Sequence, residues 1–159
     1  MKQPAFEIDW RFIAFDALTT SDLYAVLQLR SEVFVVEQAC VFQDLDGADT
    51  QAMHLLGRVA AAGASNQLVA YARCLPAGVK YAEASIGRVV THASVRGTGT
   101  GHQLLHQAIA FSQQQWGGQA IRIGAQAHLA PFYQQHAFTD AGRPYVEDGI
   151  DHLEMLRAA

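Results

Sequence analysis

Arg96-Gly97-Thr98-Gly99-Thr100-Gly101 is the stretch whose reading decides the fold. An apolar, β-branched run, Ile86 to Thr91, precedes it, and a helical pattern begins near His102. A glycine-dense turn between a strand and a helix is built to meet an anion. Glycine reaches φ > 0 without a steric penalty and lets a ligand approach the main chain. The first N–H groups of a helix have no partner inside it, and the helix dipole adds positive potential there. Spacing narrows the choice of anion. A P-loop ends in Gly-Lys-Ser/Thr, which is absent after Gly101. A dinucleotide fingerprint places its third glycine one residue later than Gly101, with an acidic residue roughly 20 positions on. Residues 113–125 hold neither Asp nor Glu. The alternative, a tight turn that binds nothing, stays open on these residues alone.

Outward from this turn, apolar periodicity orders the chain. Phe6 to Ile13 alternates apolar and polar residues as a half-buried strand does. Thr20, Ser21 and Asp22 offer N-caps to an amphipathic helix over 22–36, with Leu23, Val26, Leu27 and Val33 at helical spacing. Residues 37–50 read as an acidic loop carrying Asp44, Asp46 and Asp49. Met53 to Ala60 and Leu68 to Leu75 read as strands around a turn at Gly63-Ala64-Ser65-Asn66, and Ala84 to Thr91 as the strand before the glycine turn. A second helix runs from Gly101 to Trp116 and stops at Gly117-Gly118. Ile121 to Gln126 is a short strand, and Pro131 starts a short helix ending at Gln135. Phe138 to Ala141 and His152 to Leu156 are two last strands with Gly142 to Gly149 between them. This β-α-β-β-β-α-β-α-β-β order predicts an α/β fold, a mixed central sheet flanked by helices, formed as one domain over 1–159.

Composition bounds the function. Half of the 159 residues are hydrophobic and 16% are charged, as in a globular chain. A net charge of −4 gives no basic footprint for nucleic acid. Met1 to Asp9 has no apolar segment of a signal peptide, and no apolar run approaches the ~18 residues of a membrane span. Cys40 and Cys74 lie far apart without metal-type spacing and read as reduced thiols of a cytoplasmic protein. No base neighbours Cys40 in the sequence to make it a nucleophile. His102 and His106 have a chelating i, i+4 spacing, but Gln103 stands where a zincin motif needs Glu. Asp44-x-Asp46-Gly47-x-Asp49 matches part of a calcium loop. It lacks the glycine at the sixth position and the glutamate at the twelfth, where Leu55 stands, so no metal is expected.

The turn fits Arg/Gln-x-x-Gly-x-Gly/Ala through Arg96, Gly99 and Gly101, and so resembles the pyrophosphate loop of the GNAT N-acetyltransferases, which bind acyl-CoA. Gln126, Leu129, Phe132-Tyr133 and Phe138 resemble that family's Asn-x-x-Ala-x-x-Phe-Tyr-x-x-x-Gly-Phe segment, with Gln126 for Asn, Leu129 for Ala and Ala137 for Gly. Within the family the chain is similar to the ElaA-like branch. The carrying residues include Leu27-x-Leu29-Arg30, Val33 to Gln38, Asp44-x-Asp46-Gly47-x-Asp49, Gly87-Arg88-Val89 and Gly124 to Leu129. His54-Leu55 and Tyr145-x-Glu147-Asp148-Gly149-Ile150-x-His152 complete the set.

The resemblance implies the GNAT fold and transfer of an acetyl group from acetyl-CoA to a primary amine, of a small molecule or a peptide, by direct attack. It implies that Val89, Val90 and Thr91 pair with the pantetheine arm. Arg96, Gly97, Thr98, Gly99, Thr100 and Gly101 would hold the pyrophosphate, and Gln126 would supply an amide to pantetheine. Tyr133 would be the general acid for the leaving thiolate. Candidate bases or acceptor contacts are Glu37, His54, Glu83, His128 and Glu147, and the alternative is a water relay with no direct base. The aspartates of the 44–49 loop would draw in a cationic amine, and Arg88, in mid-strand, would need a carboxylate such as Glu37 or one from that loop. A homodimer through edge strands is a further expectation. The rival function is a CoA-binding module without catalysis.

Overall fold

The computed structural model describes residues 6–60 and 66–159, so most of the expected turn at 63–66 lies outside the described residues. The strands are β1 (Ile8–Ala14), β2 (Met53–Val59), β3 (Gln67–Leu75), β4 (Ala84–Thr91), β5 (Ile121–Gln126), β6 (Thr139–Glu147) and β7 (Ile150–Arg157). The helices are α1 (Thr20–Arg30), α2 (Thr100–Trp116) and the short α3 (Ala130–Gln134). All seven strands form one sheet in the order β1-β2-β3-β4-β5-β7-β6, antiparallel except where β4 and β5 run parallel across α2.

Thr19 caps α1 in a reciprocal box: its hydroxyl accepts from Asp22 N–H at 3.0 Å, and the Asp22 carboxylate accepts from Thr19 N–H at 3.3 Å. The helix then widens into a π-helical stretch over Ser31–Glu37. Val26, Leu29 and Val33 of this segment pack on Leu56, Leu68, Tyr71 and Val90. Leu104, Leu105 and Ala108 of α2 pack on Leu55, Ala70, Ala72, Cys74 and Ile86. Neighbouring strand residues point to opposite faces, so Leu55 against Leu56 and Ala70 against Tyr71 place the two helices on opposite sides of the sheet. β3 is covered on both faces, which is why its sequence is a continuous apolar run rather than an alternating one.

The C-terminal hairpin departs from expectation. Gly142 to Gly149 is not a long connection. Most of it is strand, and only Asp148-Gly149 turns the chain, both at positive φ. Pro144 is accommodated because β6 is an edge strand, where a missing N–H is tolerated. A shift in register between Asp140 and Pro144 absorbs Gly142 at φ 75°.

Candidate active site

Two irregularities open a cleft in the sheet. β4 pairs with β5 only at Ala84 and Ser85, opposite Ile121 and Arg122. Further along, the register between β3 and β4 jumps from Tyr71 opposite Val90 to Arg73 opposite Gly87, so β4 carries one extra residue there. Such a bulge bends its strand and leaves main-chain groups outside the ladder. Arg88 sits inside it at φ 50°, a left-handed conformation that is costly for a side chain other than glycine. Between the parted strands lies a cavity of ≈ 560 Å³. Val89, Val90 and Thr91 of β4 form one wall, Gly124 and Gln126 of β5 another, and Val33, Phe34 and Glu37 of the π-helical segment a third.

Arg96, the first residue of the glycine turn, lines one end of the cavity together with Thr91, whereas Gly97, Thr98, Gly99, Thr100 and Gly101 lie beyond its lining. Gly97 lies at φ 78° and Gly99 at φ 86°, so the local sequence does require glycine. Gly99 is the N-cap of α2, and its carbonyl receives the N–H of Gln103 at 3.1 Å. The N–H groups of Thr100, Gly101 and His102 therefore have no partner in the helix. Thr98 and Thr100 share a hydroxyl hydrogen bond of 2.8 Å that fixes the turn. Arg96 is half-exposed and is held by Glu37, with a second guanidinium N–H donating to Thr91 O at 3.2 Å. Glu37 therefore stands at the glycine-turn end of the cavity, and its carboxyl is lowered by the hydrogen bonds of Arg96.

Tyr133 of α3 also lines the cavity. Its ring is buried edge-on against Phe132 and Phe138, and burial pushes its phenol up to about 12. In the turn that follows, His136 and Phe138 N–H donate to the Tyr133 carbonyl, and Ala137, where the family has Gly, takes φ 66°, a strained geometry for Ala. Gln126 and His128 reach the cavity as expected, and Gln126 donates to Gln38 Oε1 at 3.4 Å.

Two base candidates do not belong to the cleft. His54 is fully buried in β2, bound to the Tyr71 hydroxyl at 2.7 Å and to Asp49 O at 2.8 Å. Burial holds its pKa below the ordinary histidine value, against the opposing pull of the Asp49 carbonyl. It is a core residue and meets no substrate in the cleft. Glu83 is paired with Arg122 at 3.0 and 3.1 Å, away from the cavity.

The acidic loop also behaves differently from expectation. Asp44 binds Arg30 at 2.9 Å and Arg88 at 2.7 Å; Asp49 binds Arg30 at 2.8 Å and Arg73 at 3.0 Å; Asp46 binds Arg73 at 2.7 Å. Three arginines thus neutralise three aspartates, and no free negative charge remains there to attract an amine. The same network supplies the carboxylate partner that Arg88 required. The hydrogen bonds of Arg73 hold the Asp46 carboxyl well below the usual carboxylate range. Burial alone would raise Asp49, but Arg30 and Arg73 outweigh it. With all three arginines engaged, the loop is clamped against α1, β3 and β4 and holds Arg88 in the bulge.

Of the residues on β6, β7 and the turn between them that complete the cavity, the sequence singled out Glu147 as a candidate base or acceptor contact and gave no role to Asp148, Ile150 or His152. Glu147, Asp148, Ile150 and His152 line it, with Cys40 and Lys80 opposite. Tyr145 stacks on His152 with centroids 5.2 Å apart. Cys40 contacts the Asp148 carbonyl, Sγ to O 3.7 Å, which brings together residues 108 positions apart. A signal existed in Tyr145-x-Glu147 and His152, but only strand pairing puts His152 opposite Gln126 on β5 and Tyr145 on β6.

Comparison with known proteins agrees with this geometry. Residues 37–158 match the model of the acetyltransferase (GNAT) domain. A UPF0039 protein of Synechocystis is 41% identical over 150 residues, covering 94% of this chain and 95% of the relative. ElaA of Escherichia coli is 40% identical over 152 residues, 94% of this chain and 96% of ElaA. Its crystal structure superposes with a TM-score of 0.84 over 95% of this chain and 99% of that one. The crystal structure of an acyl-CoA N-acyltransferase from Pseudomonas aeruginosa, 39% identical, gives 0.84 over 94% and 99%. A parted β4/β5 pair ending in a glycine turn at a helix N-terminus, together with these likenesses, makes the chain a member of the GNAT acetyltransferase family, in the group that includes ElaA and the UPF0039 proteins.

Proposed function

We propose that this protein transfers an acetyl group from acetyl-CoA to a primary amine, by direct attack and without an acyl-enzyme. The carrying observation is the continuity of the cleft: the cavity between β4 and β5 runs from Arg96, beside the glycine turn, to the Tyr133 phenol. Pyrophosphate at the turn meets unpaired N–H groups and the helix dipole. The pantetheine arm then follows the free edge of β4 along Val89 to Thr91, with the Gln126 amide across from it. Main-chain N–H groups at the Gly87–Val89 bulge lie outside the ladder and suit a developing oxyanion. Tyr133 has a pKa raised by burial, so its phenol keeps its proton until the thiolate leaves. The related protein named as an acyl-CoA N-acyltransferase supports the same donor class. We place the reaction in the cytoplasm; among the described residues no helix is long and apolar enough to cross a membrane.

Calorimetric titration with acetyl-CoA, with ATP and NAD as controls, tests the donor. Saturable binding of acetyl-CoA alone is expected, followed by thiol release when a pool of primary amines is added. Binding without thiol release from any pool would favour a CoA-binding module, and no acetyl-CoA binding would remove the donor assignment.

A further inference from the structure

We infer that His152 is the proton acceptor for the incoming amine, oriented by the Ile150 carbonyl and Tyr145 and backed by Glu147. This assignment rests on the acetyl-transfer function proposed above and adds a residue to it. Nδ1 of His152 lies 2.7 Å from Ile150 O. A carbonyl oxygen only accepts, so Nδ1 carries the hydrogen, and in the neutral ring Nε2 carries the lone pair. Nε2 lies 4.0 Å from Glu147 Oε2, so a carboxylate borders the nitrogen that takes the proton. The Tyr145 ring, tilted only 21° from that of His152, prevents the imidazole from rotating.

Position supports the same role. His152 is directly opposite Gln126 in the β5–β7 ladder. Side chains so paired share a face of the sheet and stand about 5 Å apart. The imidazole is thus beside the amide assigned to pantetheine, in the same cavity as Tyr133. Tyr145 on β6 stacks on it; Glu147 on β6 and Asp148 in the turn line the same cavity, as do Cys40, Lys80 and Arg88 from other elements. Of the other cleft-lining base candidates, Glu147 stands beside the imidazole with a largely exposed carboxylate, and His128 and Glu37 are less suited. Glu37 is engaged by Arg96, and His128 has no hydrogen bond among the described residues to fix its tautomer.

The step balances as follows. The substrate ammonium gives one proton to Nε2, which passes it to solvent. The freed nitrogen lone pair attacks the thioester carbon, the C–N bond forms and the C–S bond breaks. The departing sulfur takes the phenolic proton of Tyr133, and the surplus proton on the new amide nitrogen restores the phenol.

The test is His152→Asn in the full chain, with acetyl-CoA and the amine pool, read as thiol release against pH. The expected result is a fall in kcat of ~10²–10⁴, with acetyl-CoA affinity by calorimetry unchanged. The residual rate should climb tenfold per pH step, because the amine must then lose its proton to water. An unchanged kcat and pH profile in the variant would overturn the assignment, and so would loss of acetyl-CoA binding alongside the rate. If wild type binds acetyl-CoA but turns over no amine, the acetyl-transfer function itself falls and the assignment with it. Imidazole NMR of the wild type gives a readout that does not depend on the variant's folding. Hydrogen on Nδ1 of neutral His152 is expected; hydrogen on Nε2 would overturn the assignment.

Discussion

Tyr145 lies flat on His152, across the β6–β7 ladder, and its hydroxyl occupies the space above Gly124 of β5. Three strands are thereby tied together at the cleft. Gly124 is needed because a Cβ there would overlap the Tyr145 hydroxyl and come within 3.1 Å of the Tyr81 hydroxyl. Gly124→Ala should displace Tyr145, cost about 1–3 kcal/mol as overpacking does, and lower kcat. Adding Tyr145→Phe should recover part of the stability, since the overlapping oxygen is then gone. Thermal melts of the single and double variants check this, and equal losses in both would dismiss the contact.

Tyr133→Phe should lower kcat by ~10²–10⁴ while acetyl-CoA affinity hardly changes. The ring's packing on Phe132 and Phe138 survives the loss of the hydroxyl, so the fold remains. Rates at saturating substrates decide the matter, and an unchanged kcat removes the phenol from the reaction.

Arg88→Met should destabilise the protein by about 1.5–3 kcal/mol, the range for a hydrogen bond to a charged group. The guanidinium donates to Asp44 at 2.7 Å and to the Asp44 carbonyl at 2.9 Å, and it holds a strained residue in the bulge. Asp44 keeps Arg30, so the loss should stop short of unfolding. Denaturant midpoints provide the measurement; an unchanged midpoint would mean that the bulge does not depend on this pair.

His54 gives stability a pH dependence. Its folded pKa is lowered, mainly by burial, so the unfolded chain binds a proton more readily. Stability is full above the unfolded value of about 6.5 and declines as pH falls below it. Asp46 and Asp49, lowered by their arginines, add a further decline that begins below about 4. Melting temperatures from about pH 7 to 5 should fall, and the slope should shrink in His54→Gln. An identical slope would show that His54 is not protonated on unfolding.

Cys40→Ala should keep kcat near the wild-type value. The thiol lines the cavity, but its contact is a backbone carbonyl rather than a base. Mass spectrometry of the wild type after exposure to acetyl-CoA should show no acetyl adduct. A stable adduct on Cys40, lost on adding amine, would replace direct attack with a two-step route.

The order of strands and helices, the glycine turn and the stop after Trp116 were all legible in the sequence, because each is set by local physics. Gly97 and Gly99 need φ > 0, α2 needs an apolar stripe, and β3 needs two buried faces. The resemblance to the GNAT family was legible for the same reason, since its motifs are contiguous. The tertiary structure alone decided which charges meet. The acidic loop looked like a lure for amines, yet Arg30, Arg73 and Arg88 reach it from one helix and two strands and consume its charge. His54 looked like a base but lies in the core. His152 was marked only as part of the Tyr145 to His152 segment of the family resemblance, and became a candidate base when strand pairing set it beside Gln126. Propensity and periodicity act over a few residues, whereas an ion pair or a shared tautomer depends on register between elements 14 to more than 40 positions apart.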